Sequence, residues 1–157
     1  MQPINRLPRE SFYMAVALLT SLRSSCQRMS VGCIVVKEGR IISMGYNGDL
    51  PASEGCNDIT CNVDTPCTIA VHAEANAIAW AAKEGLALRD SIMYCTHLPC
   101  PKCAELIVQA GIRKVIYMHE YRDISGLEKF RLNGVAKEQI PVFSIAYNIT
   151  DRQWFIK

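Results

Sequence analysis

Residues 91–118, SIMYCTHLPCPKCAELIVQAGIRKVIYM, predict the fold of this chain. A β-rich run at 91–96 leads into a helical segment at Pro101–Gln109, and a second β-rich run follows at 114–118. Proline is tolerated in the first turn of a helix, and Gly111 is a stop signal after the last turn. A strand, a helix and another strand in this order predict parallel neighbouring strands in an α/β layered domain.

Hydrophobic periodicity and turn signals extend the pattern to both sides of this stretch. The predicted elements are a helix at 9–24, a hairpin with strands at 33–37 and 40–46, a helix at 70–83, a helix at 125–133 and a last strand at 141–145. The apolar tail Trp154-Phe155-Ile156 is interpreted as a cap on the core, with an oligomer contact as the alternative.

Length and charge favour a single globular domain. The chain has 157 residues, half of them apolar, and a net charge of +2, which is too small to imply a nucleic-acid or membrane partner. The N-terminus lacks the architecture of a signal peptide, and the apolar runs are shorter than a membrane span. We therefore expect one domain over residues 1–157 in the cytoplasm.

The eight cysteines fall into different classes. Cys33 and Cys95 lie in buried-strand sequences and are predicted core residues. The loop from 47 to 67 holds three more cysteines and almost no periodicity. A structureless loop of this length is unusual in a compact domain, so a metal is the economical way to organise it.

The strongest chemical signal is split between His72-Ala73-Glu74 and Pro99-Cys100-Pro101-Lys102-Cys103. Cys100 and Cys103 share one face of a helix start, where the thiolate form that binds metal is favoured. Three protein ligands leave a fourth tetrahedral position for water, which is typical of a catalytic zinc. Glu74, two residues after His72, is the predicted proton shuttle between that water and a substrate.

Each half of this signal has a less specific interpretation. A lone Cys-x-x-Cys at a helix start can be a redox dithiol, and a lone His-x-Glu is common by chance. The two halves together match the known H-x-E…P-C-x-x-C signature of zinc-dependent nucleobase deaminases. Their combination favours a catalytic zinc site.

At these residues the chain resembles the deoxycytidylate (dCMP) deaminases, especially the bacterial late-competence and phage branch. The resemblance covers about residues 9–136 and lies in four segments: Ser24-Ser25-Cys26-Gln27-Arg28-Met29-Ser30-Val31-Gly32, Gly45-Tyr46-Asn47-Gly48, His72-Ala73-Glu74-Ala75-Asn76-Ala77-Ile78 and Pro99-Cys100-Pro101-Lys102-Cys103. It implies the cytidine-deaminase-like α/β/α three-layer sandwich with a five-stranded mixed sheet. It also implies hydrolysis of dCMP to dUMP and ammonia, which supplies thymidylate synthesis.

The resemblance implies roles for individual residues. His72, Cys100 and Cys103 would hold the catalytic zinc, and Glu74 would carry protons. Asn47 would contact the deoxyribose, while the backbone of Ala73 and of the segment before Pro99 would hold the cytosine edge. Many family members are homo-oligomers, often hexamers, that dCTP activates and dTTP inhibits. Some carry a second zinc, for which Cys26, Cys56, Cys61 and Cys67 form the natural structural site here.

Other residues keep two interpretations. Arg28 and Ser30 are candidates for the substrate phosphate, because an arginine fork donates two bonds at once, but a solvated arginine is equally compatible. Tyr121 is either a cover or stacking residue of the pocket or a core tyrosine. Asn47 also suits a plain turn, and Asn76 either orients Asn47 and its loop or packs its own helix.

Two classes of rival function stay open. One is deamination of another substrate, such as a 5-modified dCMP or a tRNA adenosine, although a tRNA enzyme should carry a larger basic excess. The other is a non-catalytic nucleotide-binding or competence accessory protein. An intact Glu74 argues against the second, since a purely structural zinc site has no use for it.

Overall fold

In the computed structural model, residues 6–26, 28–50, 67, 70–148 and 153–156 are described. The first elements are α1 (Arg9–Ser21), β1 (Gly32–Lys37), β2 (Arg40–Tyr46), α2 (Ala73–Lys83), β3 (Ile92–His97) and α3 (Pro101–Gln109). They are followed by β4 (Lys114–His119), α4 (Gly126–Leu132), β5 (Ala136–Gln139), β6 (Ile145–Asn148) and β7 (Gln153–Ile156). None of the helices in these ranges has the length and apolar content needed to cross a bilayer.

The first five strands form one mixed sheet in the order β2-β1-β3-β4-β5. Strand β1 is antiparallel to both β2 and β3, whereas the pairs β3–β4 and β4–β5 are parallel. β2 and β3 therefore run in the same direction on either side of β1. The separate hairpin of β6 and β7 forms a second, two-stranded sheet.

Alternating side chains of the strands build a core on each face of the sheet. Cys33 and Val35 of β1 belong to the cluster beneath α2, α3 and α4, whereas Ile34 and Val36 pack with Met14 on the α1 side. This arrangement confirms the α/β/α three-layer sandwich. Cys33 and Cys95 are core residues as expected, and both are 0% exposed.

Three helices are shorter than predicted, and the difference in α4 (Gly126–Leu132, predicted at 125–133) is one residue at each end. α1 ends at Ser21 rather than residue 24, and α2 begins at Ala73 rather than residue 70. The delay in α2 has a tertiary cause, because Val71 is held extended by a bridge to Gly48, with backbone hydrogen bonds of 2.8 and 3.1 Å between them.

The predicted last strand at 141–145 is wrong as the fifth strand of the main sheet. That position is taken by β5, Ala136–Gln139, whose four residues are all exposed. An exposed edge strand needs no alternating apolar residues, so this sequence gives little strand signal. The hairpin of β6 and β7 was also not predicted, and the expected packing of the tail side chains lies outside what the structure describes.

Candidate active site

The structure brings the two halves of the sequence signal together. His72 is the N-cap of α2 and Cys100 is the N-cap of α3, both in extended backbone, and Cys103 lies in the first turn of α3. The Nδ1 atom of His72 is 3.4 Å from the Sγ of Cys100 and 3.4 Å from the Sγ of Cys103. The three ligand atoms all lie within 4.8 Å of one another.

These three atoms fit a tetrahedral zinc ion. Bonds of about 2.3 Å to sulfur and about 2.0 Å to nitrogen in tetrahedral geometry separate nitrogen from sulfur by about 3.5 Å. The two distances from His72 match that spacing without rearrangement. Among the described residues this is the one group of three or more histidine, cysteine or acidic side chains with such a spacing.

Strand direction explains why residues far apart in the sequence meet here. β2 and β3 point the same way, and the chain enters α2 and α3 at the end of the sheet where these two strands finish. The bridge between Gly48 and Val71 then ties the residue before His72 to the turn that follows β2. Both helix N-termini consequently face one site, where they favour thiolate over thiol.

The electrostatics of the donor set suit a cation. Hydrogen bonds from Cys103 and from His72 lower the pKa of Cys100 to about 4, despite the opposing effect of burial. The pKa of Cys103 is raised, mainly because it shares a hydrogen bond with Cys100, and burial raises it further. The pKa of His72 is raised by its hydrogen bond to Cys100. Without a metal, hydrogen bonds from His72 and Cys103 therefore stabilise the thiolate of Cys100. A divalent ion would replace the shared protons at this place.

Glu74 lies beside this cluster on the first turn of α2. Its side chain is only 4% exposed, and burial raises the pKa of its carboxyl group above the ordinary value. The neighbouring imidazole of His72 opposes that rise. A carboxyl group with a raised pKa is suited to accept and return a proton near neutral pH.

The cluster opens into a cavity of about 650 Å³, a volume typical of small-molecule sites. Its walls come from the segment before β1, the turn after β2, the start of α2, the end of β3, the start of α3 and the segment after β4. They include Cys26, Arg28, Met29, Val31, Asn47, Cys67, Ala70, His72, Ala73, Glu74, His97, Leu98, Cys100, Pro101, Lys102, Glu120, Tyr121, Arg122 and Asp123.

Asn47 combines a place on this wall with a structural role. Its Oδ1 accepts hydrogen bonds from the Ser24 hydroxyl and the Val31 amide, both at 2.7 Å, and its Nδ2 donates to the Met29 carbonyl at 2.8 Å. One N–H of the side-chain amide is left for another partner. Asn76 supports the same turn by donating to the Tyr46 carbonyl at 3.0 Å.

Most of the other predicted substrate residues also lie on the wall. Ala73 is fully buried there, Arg28 lines the cavity, and Tyr121 is half-buried beneath the Arg122 guanidinium rather than inside the core. Ser30 is exposed and does not belong to the wall, although its neighbours Met29 and Val31 do.

The cysteines of the predicted second zinc site are only partly described. Cys26 and Cys67 line the cavity, and the Ala70 amide lies 3.4 Å from the Cys67 sulfur. Cys56 and Cys61 lie outside the described residues.

Sequence reasoning missed His97, Lys102 and Arg122, which also line the cavity. Two of them carried a usable signal: His97 lies three residues before Cys100, and Lys102 lies between the two cysteine ligands. Arg122 reaches the site from the segment after β4, and only the tertiary structure reveals this.

Comparison with known proteins identifies the family. The model of the "Cytidine and deoxycytidylate deaminase zinc-binding region" matches residues 8–119. ComE operon protein 2 of Bacillus subtilis is 35% identical over 152 residues, which are 96% of this chain and 80% of that protein. The deoxycytidylate deaminase of Saccharomyces cerevisiae is 34% identical over 131 residues, which are 78% of this chain but only 41% of the yeast protein.

A solved structure agrees with the sequence relatives. The dCMP deaminase of the cyanophage S-TIM5, crystallised in complex with dCMP and dUMP, superposes with a TM-score of 0.78 at 37% identity. The superposition covers 87% of this chain and 100% of the phage chain. Because the family model spans more than half of the chain and includes the paired His-x-Glu and Cys-x-x-Cys motifs, the chain belongs to the cytidine and deoxycytidylate deaminase family.

Proposed function

We infer that the chain is a zinc-dependent hydrolase that converts dCMP and water to dUMP and ammonia. The observation that carries this inference is the meeting of His72, Cys100 and Cys103 beside the buried carboxyl group of Glu74, in a cavity of nucleotide size. Relatives named deoxycytidylate deaminase and the phage structure with dCMP and dUMP support the choice of substrate.

We propose that His72, Cys100 and Cys103 hold the zinc ion. When bound, zinc supplies Lewis acidity that makes a water molecule nucleophilic near neutral pH. Glu74 takes the protons of that water as its oxygen bonds to C4 of the pyrimidine and the bond from C4 to the amine breaks. One proton ends on N3 and the other on the leaving ammonia, so atoms and charge balance.

The remaining wall residues have proposed roles in holding the nucleotide. The free N–H of Asn47 would meet the deoxyribose, and the backbone of Ala73 would meet the base. Arg28, with Ser30 beside it, would serve the phosphate, while the half-buried Tyr121 would cover the base. The exposed position of Ser30 makes it the weakest member of this set.

Glu74→Ala tests the proposed chemistry. The variant should fold, bind zinc as wild type does and lose at least about a thousandfold in kcat, because general acid–base catalysis and the correct protonation of the leaving group are removed together. Ammonia release from dCMP and zinc content are measured on the same samples. The conservative variant Glu74→Gln separates loss of the proton carrier from loss of packing. Unchanged turnover in both would refute the assigned role.

A substrate panel tests the specificity. Wild-type protein is incubated with dCMP, 5-hydroxymethyl-dCMP, deoxycytidine and a tRNA anticodon stem. The proposal predicts turnover of dCMP well above the others, while zinc-loaded protein inert toward all four would favour an accessory role.

We propose a second, structural zinc bound by Cys26, Cys56, Cys61 and Cys67. Its support is the cysteine-rich loop sequence and the placement of Cys26 and Cys67 on a common wall. Metal analysis should find about two zinc ions per chain, and one ion per chain with readily alkylated loop cysteines would contradict the site.

Several further expectations stay predictions: activation by dCTP, inhibition by dTTP, a homo-oligomer such as a hexamer, a single deaminase domain over residues 1–157 and a cytoplasmic location. Assays with and without each nucleotide, and light scattering of the purified protein, test the first three.

A further inference from the structure

His97 is a cavity residue with no part in the chemistry described above. It ends β3, three residues before the zinc ligand Cys100, and faces His119 at the end of β4 in the same register of the parallel pair. The two imidazole rings lie 4.9 Å apart between centroids and are tilted by 31°. His119 thus covers one face of the His97 ring.

The hydrogen bonds of Thr96 determine which nitrogen of His97 carries the proton. Thr96 is a buried residue, 1% exposed, whose hydroxyl accepts a hydrogen bond from the Gly32 amide at 3.2 Å and lies 3.0 Å from the Nδ1 of His97. Gly32 can only donate to this hydroxyl, so if Nδ1–H also donated to it, the buried hydroxyl proton would have no acceptor among the described residues. We therefore assign His97 the tautomer with hydrogen on Nε2, because only this tautomer gives the Thr96 hydroxyl proton an acceptor.

The Nε2–H group of His97 is accessible from the cavity. Within the described part of the chain, every buried side-chain nitrogen or oxygen has a hydrogen-bond partner, whereas Nε2 of His97 has none. It must therefore be accessible, and His97 lines the cavity. Burial and the neighbouring His119 lower the pKa of His97 to about 4, which keeps this donor uncharged at neutral pH.

An uncharged donor near the zinc ligands is suited to the base rather than to the phosphate. Arg28, Lys102 and Arg122 offer charged donors on the same wall, and these bind phosphate more strongly than a neutral imidazole does. The carbon that reacts must lie at the zinc cluster, and His97 lines the same cavity three residues before Cys100, so a bound pyrimidine ring lies on the side of the cavity to which His97 belongs. A fixed N–H cannot accept from an amine and must meet an acceptor.

We propose that His97 is a specificity-determining residue, whose Nε2–H donates to an oxygen carried by the pyrimidine ring. This inference rests on the proposed function. The oxygen has two sources, the 2-keto group of every cytosine nucleotide or a hydroxyl group on a C5 substituent. Both present the same acceptor chemistry, and a pair of substrates distinguishes them.

The experiment compares three variants on dCMP and 5-hydroxymethyl-dCMP. His97→Leu removes the donor, His97→Gln restores an N–H at a similar reach, and His119→Phe keeps a ring against His97 as the matched control. His97→Leu should raise KM about tenfold with little change in kcat, the size of one neutral hydrogen bond. His97→Gln should recover most of that loss, and His119→Phe should stay within about twofold of wild type.

The pattern of losses assigns the source. Equal losses on both substrates indicate the 2-keto oxygen, and a loss confined to 5-hydroxymethyl-dCMP indicates the C5 hydroxyl. The inference is overturned if neither KM changes, if His97→Gln is as impaired as His97→Leu, or if His119→Phe reproduces the effect.

A binding measurement separates this inference from the proposed function. Calorimetric titration of the zinc-loaded proteins with dUMP, which carries the same 2-keto oxygen, needs no turnover, and 5-hydroxymethyl-dUMP gives the second arm. Wild-type protein that binds these nucleotides without deaminating dCMP would end the proposed function and still test His97 through the same variants. Equal affinities of wild type and His97→Leu for both nucleotides would end the inference alone.

Discussion

The side chain of Asn47 ties the segment between α1 and β1 to the turn that follows β2. Three hydrogen bonds, to Ser24, Val31 and Met29, use most of its capacity. The fragment Asn-Gly predicts a turn, and the resemblance suggests a sugar contact. The structure adds that the same side chain assembles one wall of the cavity.

Asn47→Ala should therefore affect folding as well as turnover. Loss of three partly buried hydrogen bonds should lower the free energy of unfolding by about 2–3 kcal/mol. The kcat/KM for dCMP should fall by more than the smaller fraction of folded protein accounts for. Denaturant unfolding and steady-state kinetics measure the two effects. Asn76→Ala is the control, because it removes a single bond to the Tyr46 carbonyl and should cost about 1 kcal/mol. An Asn47→Ala protein as stable as wild type would contradict the structural role.

His97 gives a prediction about pH. Its folded pKa of about 4 lies below the ordinary value of 6.5, so between these values the unfolded chain binds a proton that the folded chain does not. The free energy of unfolding should therefore fall as pH drops from about 6.5 to about 4. Above pH 6.5 His97 is neutral in both the folded and the unfolded chain and does not change the stability.

The Tm of wild type and of His97→Gln measured at pH 7 and pH 5 tests this linkage. Other titrating groups contribute alike to both proteins. The Tm of His97→Gln should therefore fall less than that of wild type between pH 7 and pH 5. A constant difference between the two proteins would show that His97 does not resist protonation.

At the scale of elements, the approach of α2 to the sheet depends on Gly45. A β-carbon on this residue would lie 2.2 Å from the Ala73 carbonyl oxygen and 2.5 Å from the Ala77 amide nitrogen. A second residue of the same strand also binds this helix, since Ser43 of β2 donates to the Ala77 carbonyl at 2.7 Å. Helix α2, which begins after His72 and carries Glu74, therefore rests directly on β2.

Gly45→Ala should push α2 away from β2 and move both His72 and Glu74. We expect a loss of about 1–3 kcal/mol in stability together with weaker zinc binding, measured by unfolding and by competition with a chelator. Gly32→Ala is a matched control, since its β-carbon would lie 2.2 Å from the Ala17 carbonyl oxygen of α1 on the other face of the sheet. It should destabilise comparably and leave zinc affinity near wild type. Equal loss of zinc affinity in both variants would count against a specific role for Gly45.

Periodicity predicts the central elements because their sequences respond to local rules. β1 to β4 and α3 have buried, apolar faces and clear turn or stop residues, and their predicted bounds differ from the observed ones by at most one residue. β5 escapes detection because it is polar and exposed, and the start of α2 is set by the bridge of Val71 to Gly48 rather than by propensity. Motif spacing likewise identifies His72, Glu74, Cys100 and Cys103, whereas Arg122 enters the site only through the topology.

At the scale of the whole molecule, the zinc cluster brings together two separate parts of the fold at this end of the sheet. His72 belongs to the segment after β2, and the two cysteines belong to the segment after β3, so a metal ion would cross-link two βα connections. Ligand binding of this kind stabilises the folded state by mass action, by about 2.7 kcal/mol when free ligand exceeds Kd a hundredfold.

Removal of zinc should accordingly lower the Tm and expose Cys100 and Cys103, together with the four cysteines of the proposed second site. After chelation, Cys100 should react faster with iodoacetamide than Cys103, because its pKa of about 4 leaves it as a thiolate at neutral pH, whereas the pKa of Cys103 is raised. Cys33 and Cys95 provide an internal control, since both are fully buried and should stay unmodified while the protein is folded. Mass spectrometry of digested protein measures each site before and after chelation, and added zinc should restore both the Tm and the protection. Equal alkylation of Cys100 with and without zinc would mean that the metal does not bind at this cluster, and the cross-link between the two connections would have to be abandoned.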